Sequence, residues 1–134
     1  MEKVSVVISF SGKNFGAYVP ILPGCVATGA TPNEVRDNIV EAIQFHIEGS
    51  LEDGDELDPV FNNEYELSFH FDAVSLLNYY KGVLTLSGLE KITGVNQKQL
   101  QHYATGLKKP RKPQLDKIEK SLHDFGKELM LLEL

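Results

Sequence analysis

The stretch from Gly94 to Pro113, GVNQKQLQHYATGLKKPRKP, constrains the fold more than any other part of the chain. At 100° per helical residue, its apolar side chains fall on one side, and amide, ammonium and imidazole groups fall on the other. The apolar side consists of Leu100, Tyr103, Ala104 and Leu107, and the polar side of Gln97, Lys98, Gln101, His102 and Thr105. Asn96 is a good N-cap, and Gly94 can end a preceding helix in a left-handed conformation. The pattern therefore predicts a short helix that docks on a small helical core.

A basic segment, Lys108-Lys109-Pro110-Arg111-Lys112-Pro113, follows this helix and is stiffened by its two prolines. A short helix, a glycine turn, a polar-faced helix and a basic exit are typical of a helix-turn-helix. The region from about Leu86 to Leu122 resembles the lambda repressor/Cro class of such domains. Glu90 departs from that class, which usually has a small residue there. The alternative is an ordinary amphipathic surface helix.

Charge is distributed unevenly along the chain. Residues 1–72 hold 3 lysines and arginines against 13 acidic residues, a net charge of −10, and residues 73–134 hold 10 against 6, a net charge of +4. Such asymmetry is typical of two modules with different partners. We therefore predict two domains, 1–72 and 73–134. The alternative is that the acidic residues only solvate the first half.

The first 72 residues predict a mixed α and β domain. Strands are expected at 4–10, buried on nearly both faces, at 15–19 and at 25–29. Thr31 and Pro32 predict a helix start with a capping box to Glu34, and Gly49 its end. Residues 51–63 are predicted to form an acidic loop. The alternation of apolar and polar residues in Tyr65–Phe71 predicts a fourth strand. The resulting βββαβ order is that of a partial ribonuclease-H-like fold, which makes the whole chain α+β.

From residue 73 onward, the apolar residues recur at the spacing of an α-helix. Val74, Leu77, Tyr80 and Leu84 begin an all-α domain. A last helix is expected after Pro113, with Gly126 as its end. The apolar tail, residues 128–134, is predicted to be a strand or helix that joins a second copy, which gives a dimer or tetramer.

The sequence lacks the residues that several kinds of catalytic and metal-binding site need. The first strand carries no carboxylate, and Asp72 and Glu41 alone would not hold two metal ions, so we predict no metal, no cofactor and no enzyme. The four histidines are dispersed, and the single Cys25 has no assignable base. No apolar stretch approaches the ~18 residues of a membrane span. Because no signal peptide is visible, we expect a cytoplasmic protein.

The segment from Tyr18 to Glu48 resembles the HicB family of bacterial antitoxins. The resemblance lies in Leu22-Pro23-Gly24-Cys25, in Gly29-Ala30-Thr31 and in Glu41-Ala42-Ile43. Ile21 stands where that family often has an acidic residue. The resemblance implies a type II antitoxin that binds a HicA-type, mRNA-cleaving toxin and represses its own operon by binding operator DNA. A toxin that attracts RNA phosphates should be basic, and an acidic domain suits such a partner.

The likeness to the repressor/Cro class also implies which side chains meet DNA. It brings Gln97, Lys98 and His102 closest to base edges, with Gln101 as a further candidate. Residues better suited to phosphates are Thr105, Lys108, Lys109, Arg111 and Lys112. Two other functions remain open: a stand-alone regulator whose first domain senses a ligand or protein, and a weak nuclease that depends on Asp72.

Overall fold

The computed structural model describes residues 1–134, which divide into two compact units, Met1–Asp72 and Ala73–Leu134. The first unit is a mixed α and β structure. Its elements are β1 (Glu2–Phe10), β2 (Phe15–Tyr18), β3 (Val26–Gly29), α1 (Pro32–Asp53), a short 3-10 helix (Pro59–Asn62) and β4 (Tyr65–Phe71). The second unit is all helical. Its elements are α2 (Ala73–Tyr79), α3 (Leu86–Thr93), α4 (Gln97–Thr105) and α5 (Lys112–Met130).

The four strands form one sheet in the order β3-β2-β1-β4. β1 pairs antiparallel with β2, β2 pairs antiparallel with β3, and β4 returns parallel to β1. This arrangement leaves β3 and β4 as the two edges.

α1 packs on one face of this sheet through Val35, Ile39 and Ile43, which are fully buried. Each of these side chains contributes about 1.5–3 kcal/mol through burial. The other face of the sheet is bare, and Ser5 and Ser9 on β1 are exposed there. The prediction that the first strand is buried on nearly both faces was therefore wrong. The strand buries one face only, because the buried residues Val4, Val6 and Ile8 alternate with residues that face the other side.

Gly29 sits where β3 turns into α1. A Cβ on this residue would lie 2.5 Å from the backbone nitrogen of Val35, closer than real Cβ contacts come. Thr31 then caps α1, because its hydroxyl accepts a hydrogen bond from the backbone nitrogen of Glu34 at 3.1 Å. The predicted start of the helix is confirmed.

Two glycines that were expected to end helices do not. α1 passes through Gly49 and ends at Gly54, which is left-handed with φ 73°. The predicted loop at 51–63 is therefore partly helical, since it contains the last turn of α1 and the 3-10 helix. α5 likewise continues through Gly126 to Met130. A glycine inside a helix costs only about 1 kcal/mol, which packing of the flanking turns can offset.

The core of the second unit is formed by Leu77, Leu89, Val95, Leu100, Tyr103 and Ile118. Asn78 ties α2 to α4, because its side-chain amide donates at 2.8 Å to the carbonyl oxygen of Ala104 at the end of α4. Leu107 was predicted to lie on the apolar side of α4, but it is 70% exposed. α4 ends at Gly106 in a left-handed conformation, so the helical period no longer applies at Leu107.

The final residues, 131–134, have no regular structure, and 128–130 belong to the last turn of α5. None of the helices is both long enough and apolar enough to span a membrane.

Candidate functional site

The start of α4 is built by three residues that precede or neighbour it. Gly94 ends α3 with φ 75°, and the side-chain oxygen of Asn96 accepts from the backbone nitrogen of Lys98 at 2.7 Å. The carboxylate of Glu90, on α3, accepts from the backbone nitrogen of Gln97 at 3.0 Å. Free N–H groups at a helix start need such acceptors. Sequence reasoning identified Gly94 and Asn96 from local chemistry and missed the role of Glu90.

The solvent side of α4 presents amide and ammonium groups. Gln97, Lys98 and Gln101 are exposed along it. Gln97 uses only its backbone nitrogen for the cap, so its amide side chain can hydrogen-bond elsewhere. Side chains of this kind can read base edges in a DNA groove.

His102 differs from the other residues predicted to contact bases. Its side chain is half-buried, and Nδ1 is buried without a hydrogen-bond partner. A contact from this residue to an outside molecule would therefore have to use Nε2. Thr105 is exposed, but its hydroxyl donates to the carbonyl oxygen of His102 at 3.3 Å.

A basic cleft of about 620 Å³ lies beside α4. Its lining contains three cationic residues and no carboxylate, and the members are Gln99, Tyr103, Lys108, Lys109, Arg111 and Gln114. Within it, the Gln99 side-chain nitrogen donates to the Tyr103 hydroxyl at 2.8 Å. Converging cations and amides of this kind can hold a phosphate group.

The cleft adds residues that sequence reasoning missed. They are Gln99, on α4, and Gln114, on α5. The one signal in the sequence was the spacing of four residues between Gln99 and Tyr103, which makes them neighbours on a helix surface. Lys112 was grouped with the phosphate contacts but does not line the cleft. It forms an ion pair with Asp116, and this hydrogen bond raises the pKa of Lys112.

The first unit brings histidine, serine and carboxylate side chains together at two places. The Nε2 atom of His70 lies 3.2 Å from the Ser68 hydroxyl and 3.5 Å from that of Ser5 on the bare sheet face. Asp72 accepts from the Ser9 hydroxyl at 3.1 Å. No group of three or more histidines, cysteines or carboxylates lies close enough to hold a metal ion.

Cys25 belongs to a structural turn. Its backbone nitrogen donates to the carbonyl oxygen of Leu22 at 3.0 Å, and Gly24 between them is left-handed with φ 86°. Both Leu22 and Cys25 are buried. Burial raises the pKa of the Cys25 thiol, which disfavours the nucleophilic thiolate.

Comparison with known proteins gives a relative and a family to which this chain is similar. A 14.9 kDa protein from the rep-hol intergenic region of Haemophilus phage HP1 (strain HP1c1) is 56% identical over 39 residues, which cover 29% of this chain and 29% of that protein. No solved structure matches the chain. The family described as HicB-like antitoxin of bacterial toxin-antitoxin systems matches residues 5–71, half of the chain and nearly all of its first unit. The chain therefore belongs to the HicB-like antitoxin family.

Proposed function

We propose that this protein is the antitoxin of a type II system, which neutralises a HicA-type, mRNA-cleaving toxin and represses its own operon. The family membership of residues 5–71 carries the first part, because an antitoxin of such a system has a toxin as its partner. The toxin would bind the first unit, whose net charge is −10. The protein would act in the bacterial cytoplasm, where both the toxin and the operator are found.

The charge of the two units supports a division of labour. A toxin that cleaves mRNA must attract phosphates and is expected to be basic, so an acidic unit speeds encounter with it and improves complementarity. DNA is itself a polyanion, so operator binding requires the unit of net charge +4. A protein that only represses would not need the acidic unit.

The second unit is proposed to be a helix-turn-helix domain with α4 as the recognition helix. Support comes from the three-residue connection between α3 and α4, from the exposed amides of α4 and from the adjacent basic cleft. Gln97, Lys98, Gln101 and the Nε2 atom of His102 would contact bases. Lys108, Lys109 and Arg111 would hold phosphates, with Thr105 and Lys112 as outer contacts.

Two further parts of the proposal concern architecture. The βββαβ order, with β4 parallel to β1, supports a partial ribonuclease-H-like fold without catalytic function. The exposed apolar residues at the end of α5 support self-association as a dimer or tetramer, which would let two recognition helices read paired half-sites. Those residues are Leu129, Met130, Leu131, Leu132 and Leu134.

The test is bacterial growth after induction of the small reading frame next to this gene, alone and together with this protein. We expect arrest when the neighbour is induced alone and relief when both are made. The same reading frame interrupted by an early stop codon is the matched control and should cause no arrest. If the intact neighbour causes none either, the antitoxin proposal fails and a stand-alone DNA-binding regulator becomes the better account.

A further inference from the structure

The sheet of the first unit is covered unevenly on its helical face. α1 packs chiefly over β3 and β2, and the β1 residues Val4, Val6 and Ile8 are buried. Their direct partners on β4 point to the same face but remain only half-covered. One of them, Phe69, is 36% exposed, and the Arg36 guanidinium lies 5.6 Å from its ring centroid.

A groove of about 540 Å³ runs between α1 and β4 where this cover is missing. We call it the α1–β4 groove. Val40, Ile43 and Gln44 form its helical wall, Tyr65 and Leu67 form its strand side, and Met1, Asn63 and Glu64 also line it. Val40 is 43% exposed although it is apolar and lies in the middle of a long helix. An exposed apolar surface beside a polar rim marks a binding surface.

β4 offers a second kind of contact at the same place. It pairs with β1 on one side and with no strand on the other, because it ends the sheet. The outer side of an edge strand presents backbone groups that another chain can pair with. The opposite edge, β3, is only four residues long, and the Asn38 side chain already donates to its Thr28 carbonyl oxygen at 2.8 Å.

The charge around the groove identifies the chemistry of its occupant. Glu64 lines the groove, and Glu41 is the exposed neighbour of Val40 on α1. With only 3 basic residues against 13 acidic ones, the unit as a whole repels a second copy of itself and attracts a cationic protein. Apolar side chains flanked by lysine or arginine would fit both the groove and its rim.

We propose that the basic, mRNA-cleaving toxin docks in the α1–β4 groove, with apolar side chains between Val40 and Leu67 and cations facing Glu41 and Glu64. This inference rests on the proposed function and adds to it the surface that the toxin covers. A buried apolar centre with a charged rim is the usual plan of a tight interface.

The test measures the affinity of full-length protein for the purified product of the neighbouring reading frame by calorimetry. Val40→Arg and Gln44→Arg each place a bulky cation in the groove at a position that is already exposed, so the fold should tolerate them. Phe45→Arg is the matched control, because Phe45 is 81% exposed on α1 but does not line the groove. We expect the two groove variants to bind at least about tenfold more weakly and the control to change less than about threefold.

The outcomes separate this inference from the function on which it rests. If the wild-type protein does not bind the neighbour at all, the proposed function fails and the inference falls with it. If wild-type binds but the groove variants bind equally well, or the control loses as much as they do, the toxin docks elsewhere and only the groove is wrong. If Val40→Arg changes the molar mass of the free protein in light scattering, the groove holds a second copy, which overturns the proposed occupant. Thermal unfolding of each variant verifies that it is folded.

Discussion

The carboxylate of Glu90 lies 3.0 Å from the backbone nitrogen of Gln97 and accepts its hydrogen bond, so α3 caps the start of α4. An acceptor with negative charge at a helix start satisfies a free N–H group and interacts favourably with the helix dipole. The residue that departs from the repressor/Cro pattern thus has a structural role in this chain.

Replacing Glu90 with alanine should lower the free energy of unfolding by about 0.5–2 kcal/mol, as other lost caps do. Glu90→Gln keeps a side-chain oxygen as acceptor and loses only the charge, so its cost should be smaller. Urea unfolding followed by circular dichroism measures both. An alanine variant as stable as wild type would show that the cap contributes nothing.

Gln97→Ala should weaken operator binding by about 1–3 kcal/mol and leave binding to random DNA almost unchanged. The proposed reason is that the exposed amide pairs with a base edge, whereas the capping bond uses the backbone nitrogen and survives the substitution. Fluorescence anisotropy with the operator and a scrambled duplex measures both affinities. An equal loss on the two duplexes would argue against a base-reading role.

The basic cleft should contribute sequence-independent affinity. Lys109→Ala is expected to weaken binding to operator and random DNA alike, and to reduce the slope of log K against log salt by about 1. Lys120→Ala is the matched control, because Lys120 lies outside the cleft, is not among the proposed DNA contacts, and pairs with Asp124 on α5. Titrations at several salt concentrations give the two slopes. An effect at Lys120 as large as that at Lys109 would contradict the proposed phosphate site.

Gly29→Ala should destabilise the first unit by about 1–3 kcal/mol, because the added Cβ would meet the backbone of Val35 at 2.5 Å. Gly16→Ala is the control, since a Cβ there has no atom within 4 Å. Denaturant unfolding of the two variants tests the difference. Equal stability would mean that the junction of β3 and α1 relaxes at no cost.

Much of the fold could be predicted because its signals are local. Tyr65–Phe71 was predicted as a strand and is one with the same bounds, since alternation and flanking polar residues lie within the segment itself. The start of α1 at Pro32 and the turn from Gly94 to Asn96 depend on caps that bond within three residues. The errors at Gly49 and Gly126 arose because a weak local penalty was read as a stop, although tertiary packing offsets it.

The sequence by itself determined the caps, the periods of strands and helices, and the charge division between the two units, because each depends on neighbours along the chain or on composition. Only the tertiary structure decided which face of β1 stays bare, that the Glu90 carboxylate caps α4, and how α4, the basic connection after it and the start of α5 combine into the basic cleft. It alone also decided that β4 borders an open groove beside α1. These features join residues from different helices and strands, and such pairings follow from strand order and helix packing, which no pattern within a single element encodes.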